Sequence, residues 1–400
     1  MMPERARVLQ LYTFDQIRAA LLEVGADSAL AEKAARAEFR IVKLERVSLS
    51  MARLLYQELT MEGGLVVTAP RLEHTGAETT DVLLCATRYQ LKHLNVRLRL
   101  QADDTLQWLA EQIERALTYF VAPPPPLLLN GVTFDWTRPY VMGILNLTPD
   151  SFSGDGVIQA GATPAQWTAR AVARAQELIA AGADILDLGG ASTRPGAAAT
   201  DAATEMERLL PTLRALYACG VPLSVDTQHA RVAAAALEAG AALVNDVTGL
   251  RGDADMARVI AAHNAAAVLM HNGKPRADAR DFIGALLDDL RAQMDLALAA
   301  GIAAPRILLD PGLGFGKTVA QNLEILNRLG EFRALGCALV IGPSRKGFIG
   351  QATGAPVHER QAGTAAAVAL GIARGAQLVR VHDVALMAQA ARMTDAITRG

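Results

Sequence analysis

From about residue 140 onward the chain repeats a single pattern: a short apolar run ends in polar residues, and a longer Ala-rich segment of helical character follows. The eight apolar runs span 140–148, 183–190, 222–227, 243–249, 266–272, 306–312, 338–344 and 378–383. Stretches such as AAVLM, ILLD and ALVI are nearly continuous in hydrophobic residues, as strands of a parallel sheet buried on both faces must be. The segment 165–181 puts Trp167, Ala171, Ala175, Leu178 and Ile179 on one stripe of a helix. Gly182 and Gly240 stand where two such helices stop. Eight strand–helix units predict an α/β fold, a (β/α)₈ TIM barrel, in which chemistry sits at the C-terminal strand ends. Those ends carry Asn146, Thr193, Arg194, Asp226, Asn245, Asp310, Ser344, Lys346, Arg380 and His382.

The first 120 or so residues follow a different rhythm. Residues 14–23, 27–38 and 105–118 have helical spacing, the last with Leu106, Leu109, Ile113 and Leu117 on one face. Residues 65–68, 81–86 and 95–100 read as short strands. Four prolines at 123–126 cannot continue a helix and mark the boundary. The run LLLNGVTFDW at 127–136 reads as a hairpin with Asn130–Gly131 as a type I′ turn, placed to cap the bottom of the barrel. The expected organisation is a smaller N-terminal α+β domain at 1–122, a Pro-rich linker and capping hairpin at 123–139, and the barrel at 140–400. The N-terminal domain carries no motif with chemistry and reads as a docking or oligomerisation module.

Composition narrows the class. Hydrophobic residues make up 51% and charged residues 20%, as in a globular protein with a large core. A formal net charge of −2 gives no sign of nucleic-acid binding. The cysteines Cys85, Cys219 and Cys337 are too few and scattered for a disulfide framework or a zinc site, and fit a cytoplasmic location. No secretory leader or membrane span is expected.

Two long loops, 146–156 (NLTPDSFSGDG) and 189–197 (GGASTRPGA), follow the first two barrel strands and have the character of functional lids. Thr193 and Arg194, stiffened by Pro195–Gly196, present a hydroxyl and a guanidinium fork that matches phosphate or carboxylate. GLGFGKT at 312–318 looks like a phosphate loop, but Pro311 stands where that motif needs glycine, so a tight turn near ligand is expected instead.

GILNLTPDSFS (143–153), GGASTRPGA (189–197), SVDT (224–227), VND (244–246), MH (270–271), DPGLGFGK (310–317), SRKG (344–347) and RVHDV (380–384) occur in that order. Together they closely resemble the dihydropteroate synthase family of the folate pathway, over about residues 127–400. The resemblance implies condensation of 6-hydroxymethyl-7,8-dihydropterin pyrophosphate with 4-aminobenzoate, with Mg²⁺ as cofactor and a homodimer as the assembly. It implies a pterin site of Asp226, Asn245, Asp310, Lys346 and Arg380, and a pyrophosphate site of Asn146, Arg380 and His382, with Asn146 also on the metal. It implies a 4-aminobenzoate pocket of Thr193, Pro195, Phe315 and Ser344. Asn146, Thr193, Arg194, Asp226, Lys346, Arg380, His382 and the loop carboxylate Asp155 would carry the reaction. Two positions depart from the family pattern: Ala191 replaces the usual Glu, and Asp155 is displaced by one position. The other readings are a non-catalytic pterin-binding scaffold and a corrinoid-type pterin methyltransferase domain.

Overall fold

The computed structural model describes residues 9, 11, 13–68, 78–148, 158, 162–191, 200–274 and 281–399. The chain divides into two units, Met1–Thr118 and Tyr119–Gly400.

The first unit runs α1 (Phe14–Glu23), α2 (Ser28–Ala31), a 3₁₀ segment (Glu32–Arg36), β1 (Phe39–Ser48), α3 (Leu49–Met61), β2 (Leu65–Thr68), β3 (Thr79–Thr87), α4 (Arg88–Leu100) and α5 (Asp104–Val121). Its three strands lie in the order β1-β3-β2, with both pairs antiparallel. Val42, Val66, Val82 and Leu84 on one sheet face share a core with Leu55, Leu59, Leu91 and Leu94 from the helices. This is the expected α+β architecture, with three local corrections. Residues 27–38 form one α-turn and a 3₁₀ segment rather than one helix. Strand β1 and helix α3 after it were not anticipated. Residues 95–100, expected as a strand, are the last turns of α4. The apolar alternation of Val96, Leu98 and Leu100 mimics a strand, but Leu91, Leu94 and Leu98 form a buried helical stripe, and a capping box between Thr87 and Gln90 starts the helix.

The second unit is the barrel. A hairpin of β4 (Leu127–Leu129) and β5 (Val132–Phe134) turns through Asn130 and Gly131, whose φ values of 45° and 82° are those of a type I′ turn. Eight parallel strands follow: β6 (Tyr140–Asn146), β7 (Ile185–Gly189), β8 (Leu223–Asp226), β9 (Leu243–Asp246), β10 (Ala266–Met270), β11 (Ile307–Asp310), β12 (Ala338–Ile341) and β13 (Leu378–Val381). They close on themselves, β13 pairing with β6 through Leu378↔Tyr140 to Val381↔Gly143. The helices between and after them are α6 (Pro164–Ala180), α7 (Ala202–Leu216), α8 (Ala230–Glu238), α9 (Met256–Ala262), α10 (Phe282–Ala299), α11 (Val319–Asn327), α12 (Gly347–Thr353), α13 (Gln361–Ala373) and α14 (Val384–Arg399). Capping boxes at Thr163–Gln166 and Thr318–Gln321 start α6 and α11. Gly182 and Gly240, at φ 105° and 107°, let the chain leave α6 and α8 toward the next strand.

The period of two decides where each strand side chain goes. Val141, Leu145, Leu186, Leu188, Val225, Val244, Leu269, Leu309, Leu339 and Val379 point outward into the core shared with the helices. Tyr140, Met142, Ile185, Leu243, Val268, Leu308, Val340 and Leu378 point inward and pack against Leu127, Leu129, Phe134 and Trp136 of the hairpin. The hairpin thus shares one hydrophobic cluster with the N-terminal ends of the barrel strands. Continuing the same inward parity upward on each strand reaches Asn146, Asp187, Asp226, Asn245, Asp310 and Arg380.

Candidate active site

Six strands deliver polar side chains to the upper half of the barrel interior, and a buried carboxylate organises them. Asp187, in the middle of β7, is fully buried. Its Oδ1 accepts from Ser224 Oγ at 2.6 Å, and its Oδ2 accepts from Arg380 Nε at 2.6 Å and Asn245 Nδ2 at 3.1 Å. Arg380 uses a second nitrogen, Nη2, to donate to Asp226 Oδ2 at 2.7 Å. One guanidinium fork therefore spans two carboxylates, which fixes its plane at the head of β13. The other oxygen of Asp226, Oδ1, is buried and has no hydrogen-bond partner among the described residues. A buried carboxylate oxygen left unpaired is costly unless a ligand donor meets it.

Asp310, at the end of β11, accepts from the Gly312 amide at 2.7 Å. Lys346, just after the turn that follows β12, donates its ammonium to the Leu313 carbonyl and holds it 4.4 Å from the centre of the Phe315 ring. Two glycines lie between these side chains. A Cβ at Gly189 would lie 3.7 Å from Asn146 Oδ1 and 3.8 Å from Asp226 Cβ, so these two residues flank it. A Cβ at Gly342 would lie 3.8 Å from Lys346 Nζ and 3.9 Å from Arg380 Cβ. At the rim, Ser344 Oγ bonds both His382 Nδ1 at 3.0 Å and the His382 amide at 3.2 Å, tying the ends of β12 and β13 together.

Burial dominates the electrostatics. It pushes the Asp226 carboxyl up to about 7, against the pull of Arg380, and raises Asp310 against Lys346. It brings Lys346 down to about 8, against the pull of Asp310. For Arg380, burial acts downward, but the Asp187 and Asp226 carboxylates outweigh it, so the guanidinium stays charged.

The structure thus gathers Asn146, Asp226, Asn245, Asp310, Phe315, Ser344, Lys346, Arg380 and His382 around one barrel mouth. Thr193, Arg194, Pro195 and Asp155 lie outside the described residues. One refinement concerns Arg380. Two of its nitrogens are committed to carboxylates, so the site holds it more firmly than a freely reaching anion donor. Sequence reasoning missed Asp187, whose one signal is a charge at inward parity inside the apolar run ILDLG. Asp246, beside Asn245, faces outward and accepts from Thr248 and Leu250 amides, the work of a loop cap. His271 bonds Asp289 at 3.3 Å, and burial takes it down to about 4. Among the described residues no cluster of three or more His, Cys, Asp or Glu side chains could hold a metal ion.

This geometry agrees with comparisons to known proteins. The family model for pterin binding enzymes matches residues 142–382. A dihydropteroate synthase of Synechocystis is 43% identical over 298 residues, covering 72% of this chain and 100% of that protein. The chain belongs to the dihydropteroate synthase family of pterin-binding enzymes. A solved dihydropteroate synthase of Xanthomonas albilineans with 4-aminobenzoic acid is 39% identical, with a TM-score of 0.63, covering 69% of this chain and 99% of that one. A probable bifunctional folylpolyglutamate synthase/dihydropteroate synthase of Halobacterium salinarum matches at 39% identity over 367 residues, 90% of this chain but 43% of its own length. That alignment reaches into the first unit, whereas the Synechocystis match spans little beyond the barrel. Membership in this family makes the chain a transferase and leaves no support for the scaffold and methyltransferase readings.

Proposed function

We propose that the barrel mouth performs the family reaction with the residues described above. The enzyme condenses 6-hydroxymethyl-7,8-dihydropterin pyrophosphate with 4-aminobenzoate to give 7,8-dihydropteroate and pyrophosphate in folate biosynthesis. Asp310 and Asp226 take the N–H donors of the pterin edge, Asn245 completes the set, and Lys346 donates to the ring carbonyl and N5. Arg380, held in plane by Asp187 and Asp226, lies against the ring face. The observation that carries this reading is the orphaned Asp226 Oδ1, a buried acceptor beside a fixed guanidinium that no group among the described residues satisfies.

The reaction breaks the C–O bond at the exocyclic CH₂ and forms a C–N bond there. Pyrophosphate departs with the bonding pair, the ring electrons stabilise the carbon left behind, and the neutral amine of 4-aminobenzoate attacks and then loses a proton. No nucleophilic side chain is required; alignment and leaving-group electrostatics supply the rate. Asn146, His382 and the free side of Arg380 receive the leaving group at the rim. Thr193, Arg194 and Asp155 act from the two loops. Thr193, Pro195, Phe315 and Ser344 line the 4-aminobenzoate pocket. A divalent metal suits the family, and we assign Mg²⁺. The half-buried Asn146 amide oxygen at the end of β6 fits an ion that takes few protein ligands and keeps its waters. When bound, Mg²⁺ would neutralise charge on the departing pyrophosphate.

Three further assignments belong to the same proposal. The boundaries are 1–122, 123–139 and 140–400, the first being a docking or oligomerisation module. The assembly is a homodimer, supported by exposed Leu370 on α13 and Met393 and Ile397 on α14. The location is cytoplasmic, supported by three free cysteines; no helix among the described residues is long and apolar enough to cross a membrane.

The test is an assay of pyrophosphate release requiring both substrates and Mg²⁺, together with calorimetry on Asp310→Ala. Loss of two charge-assisted hydrogen bonds should weaken pterin binding by about 100-fold or more. Unchanged affinity would overturn the site.

A further inference from the structure

The GLGFGK turn after β11 ends in a lysine that none of the steps above uses. Its ammonium donates to three main-chain carbonyls: His271 at 3.1 Å, Gly312 at 3.0 Å and Phe315 at 3.1 Å. An ammonium has three N–H groups, so Lys317 has none left over for a phosphate. Two of the acceptors belong to its own turn and the third to His271, the first residue after β10. The side chain therefore folds the turn on itself and clips it to the neighbouring strand.

The backbone shows why a clip is needed. Gly312, Gly314 and Gly316 have φ values of 73°, 80° and 65°, in the left-handed region. These bends aim the Gly312 and Phe315 carbonyls at one point, where they meet the His271 carbonyl. Without a cation, three oxygen dipoles would converge in a partly buried space, where the Phe315 amide, 3.2 Å from the Gly312 oxygen, offsets only one of them. A Cβ at Gly312 would fall 1.9 Å from the His271 oxygen, and one at Gly316 would fall 2.6 Å from the Gly273 carbonyl carbon, so the turn is packed hard against the end of β10. Between the clipped points sit the two groups that touch Lys346: the Leu313 carbonyl and the Phe315 ring.

We propose that Lys317 is a positioning residue, which sets the Phe315 ring against the Lys346 ammonium and so builds the wall of the 4-aminobenzoate pocket. This rests on the reading of Phe315 as that wall. It assigns the lysine of a motif that resembles a phosphate loop to shaping the second-substrate subsite, without contact to either substrate.

The experiment compares Lys317→Met, Phe315→Ala and the double variant in the full chain. Lys317→Met should raise KM for 4-aminobenzoate by about tenfold or more and change the Kd for the pterin pyrophosphate by less than about threefold. The double variant should be no worse than Phe315→Ala alone, because the lysine acts through the ring. An unchanged KM in Lys317→Met, a multiplicative double variant, or a pterin Kd that rises in step with KM would each overturn the inference. If Phe315→Ala itself leaves KM unchanged, the reading of Phe315 fails, and amide exchange over 312–317 then decides for Lys317. Exchange at least about tenfold faster in Lys317→Met supports the clip, and unchanged exchange overturns it. Should Lys317→Met not fold, Lys317→Arg replaces it in each comparison, since a planar fork cannot converge three donors on that cradle.

Discussion

The two halves of the barrel interior are built from the same strands and differ in everything else. The lower half is Tyr140, Met142, Ile185, Leu243, Val268, Leu308, Val340 and Leu378, sealed by Phe134 and Trp136 of the hairpin. Higher on the same parity, the upper half holds Asp187, Asp226, Asn245 and Arg380, joined by hydrogen bonds, with Asp310 beside them bonded to the Gly312 amide. In the lower half each side chain is stabilised by area removed from water, and its neighbours are interchangeable in kind. In the upper half each charge depends on a particular partner, and removing one strands the others. Stability and chemistry are thus separated along a single axis.

The most severe break in that contrast is Asp187→Ala. It leaves Arg380, Asn245 and Ser224 without their shared acceptor in a fully buried position. We expect kcat/KM to fall by about 1000-fold and stability by about 3–5 kcal/mol, read by steady-state kinetics and urea unfolding. Activity within tenfold of the parent would mean that the carboxylate hub is dispensable. Phe134→Ala attacks the other half. It should cost about 3–5 kcal/mol by urea unfolding, while calorimetry finds pterin affinity unaltered in the folded fraction. A large loss of affinity there would erase the separation.

The smallest effect sharpens the contrast through pH. Burial lowers Lys346 from 10.5 to about 8, so its charge is present below that pH and lost above it. We expect kcat/KM to decline by about tenfold per unit above pH 8. Lys317, lowered by burial to about 7, also loses charge in this direction. The limb near 8 should therefore persist in Lys317→Met and vanish in Lys346→Met, whose plateau is lower. On the acid side, Asp226 near 7 is protonated as pH falls and weakens one of the two carboxylate bonds that fix Arg380, so affinity for the pterin should drop there as well.

Much of the barrel was legible because its strands are buried on both faces and therefore unbroken in hydrophobicity, while glycines mark the exits from α6 and α8. The upper polar set was legible because strand ends carry it and the motifs fall there in order. Asp187 escaped because it sits inside an apolar run, and only the register of β7 against β8, Asp187↔Ser224, reveals which way it points. Residues 95–100 were misread for a related reason. Alternation over six positions fits both periods, and burial of Leu91 and Leu94 one turn earlier settles the choice. The sequence led to a tight turn at 312–318 rather than a phosphate loop, but gave Lys317 no task there; its partners are carbonyls, which leave no trace in sequence.

The hairpin stopper has a kinetic corollary. A tube closed at its base admits traffic through one doorway only. In the reading proposed above, the pterin rests on the polar floor and must arrive before 4-aminobenzoate, and the joined product must back out whole. Binding order is therefore imposed by the plug made of Phe134 and Trp136, on the side of the barrel opposite the chemistry. Tight association of 4-aminobenzoate with the empty enzyme would show that the queue does not exist.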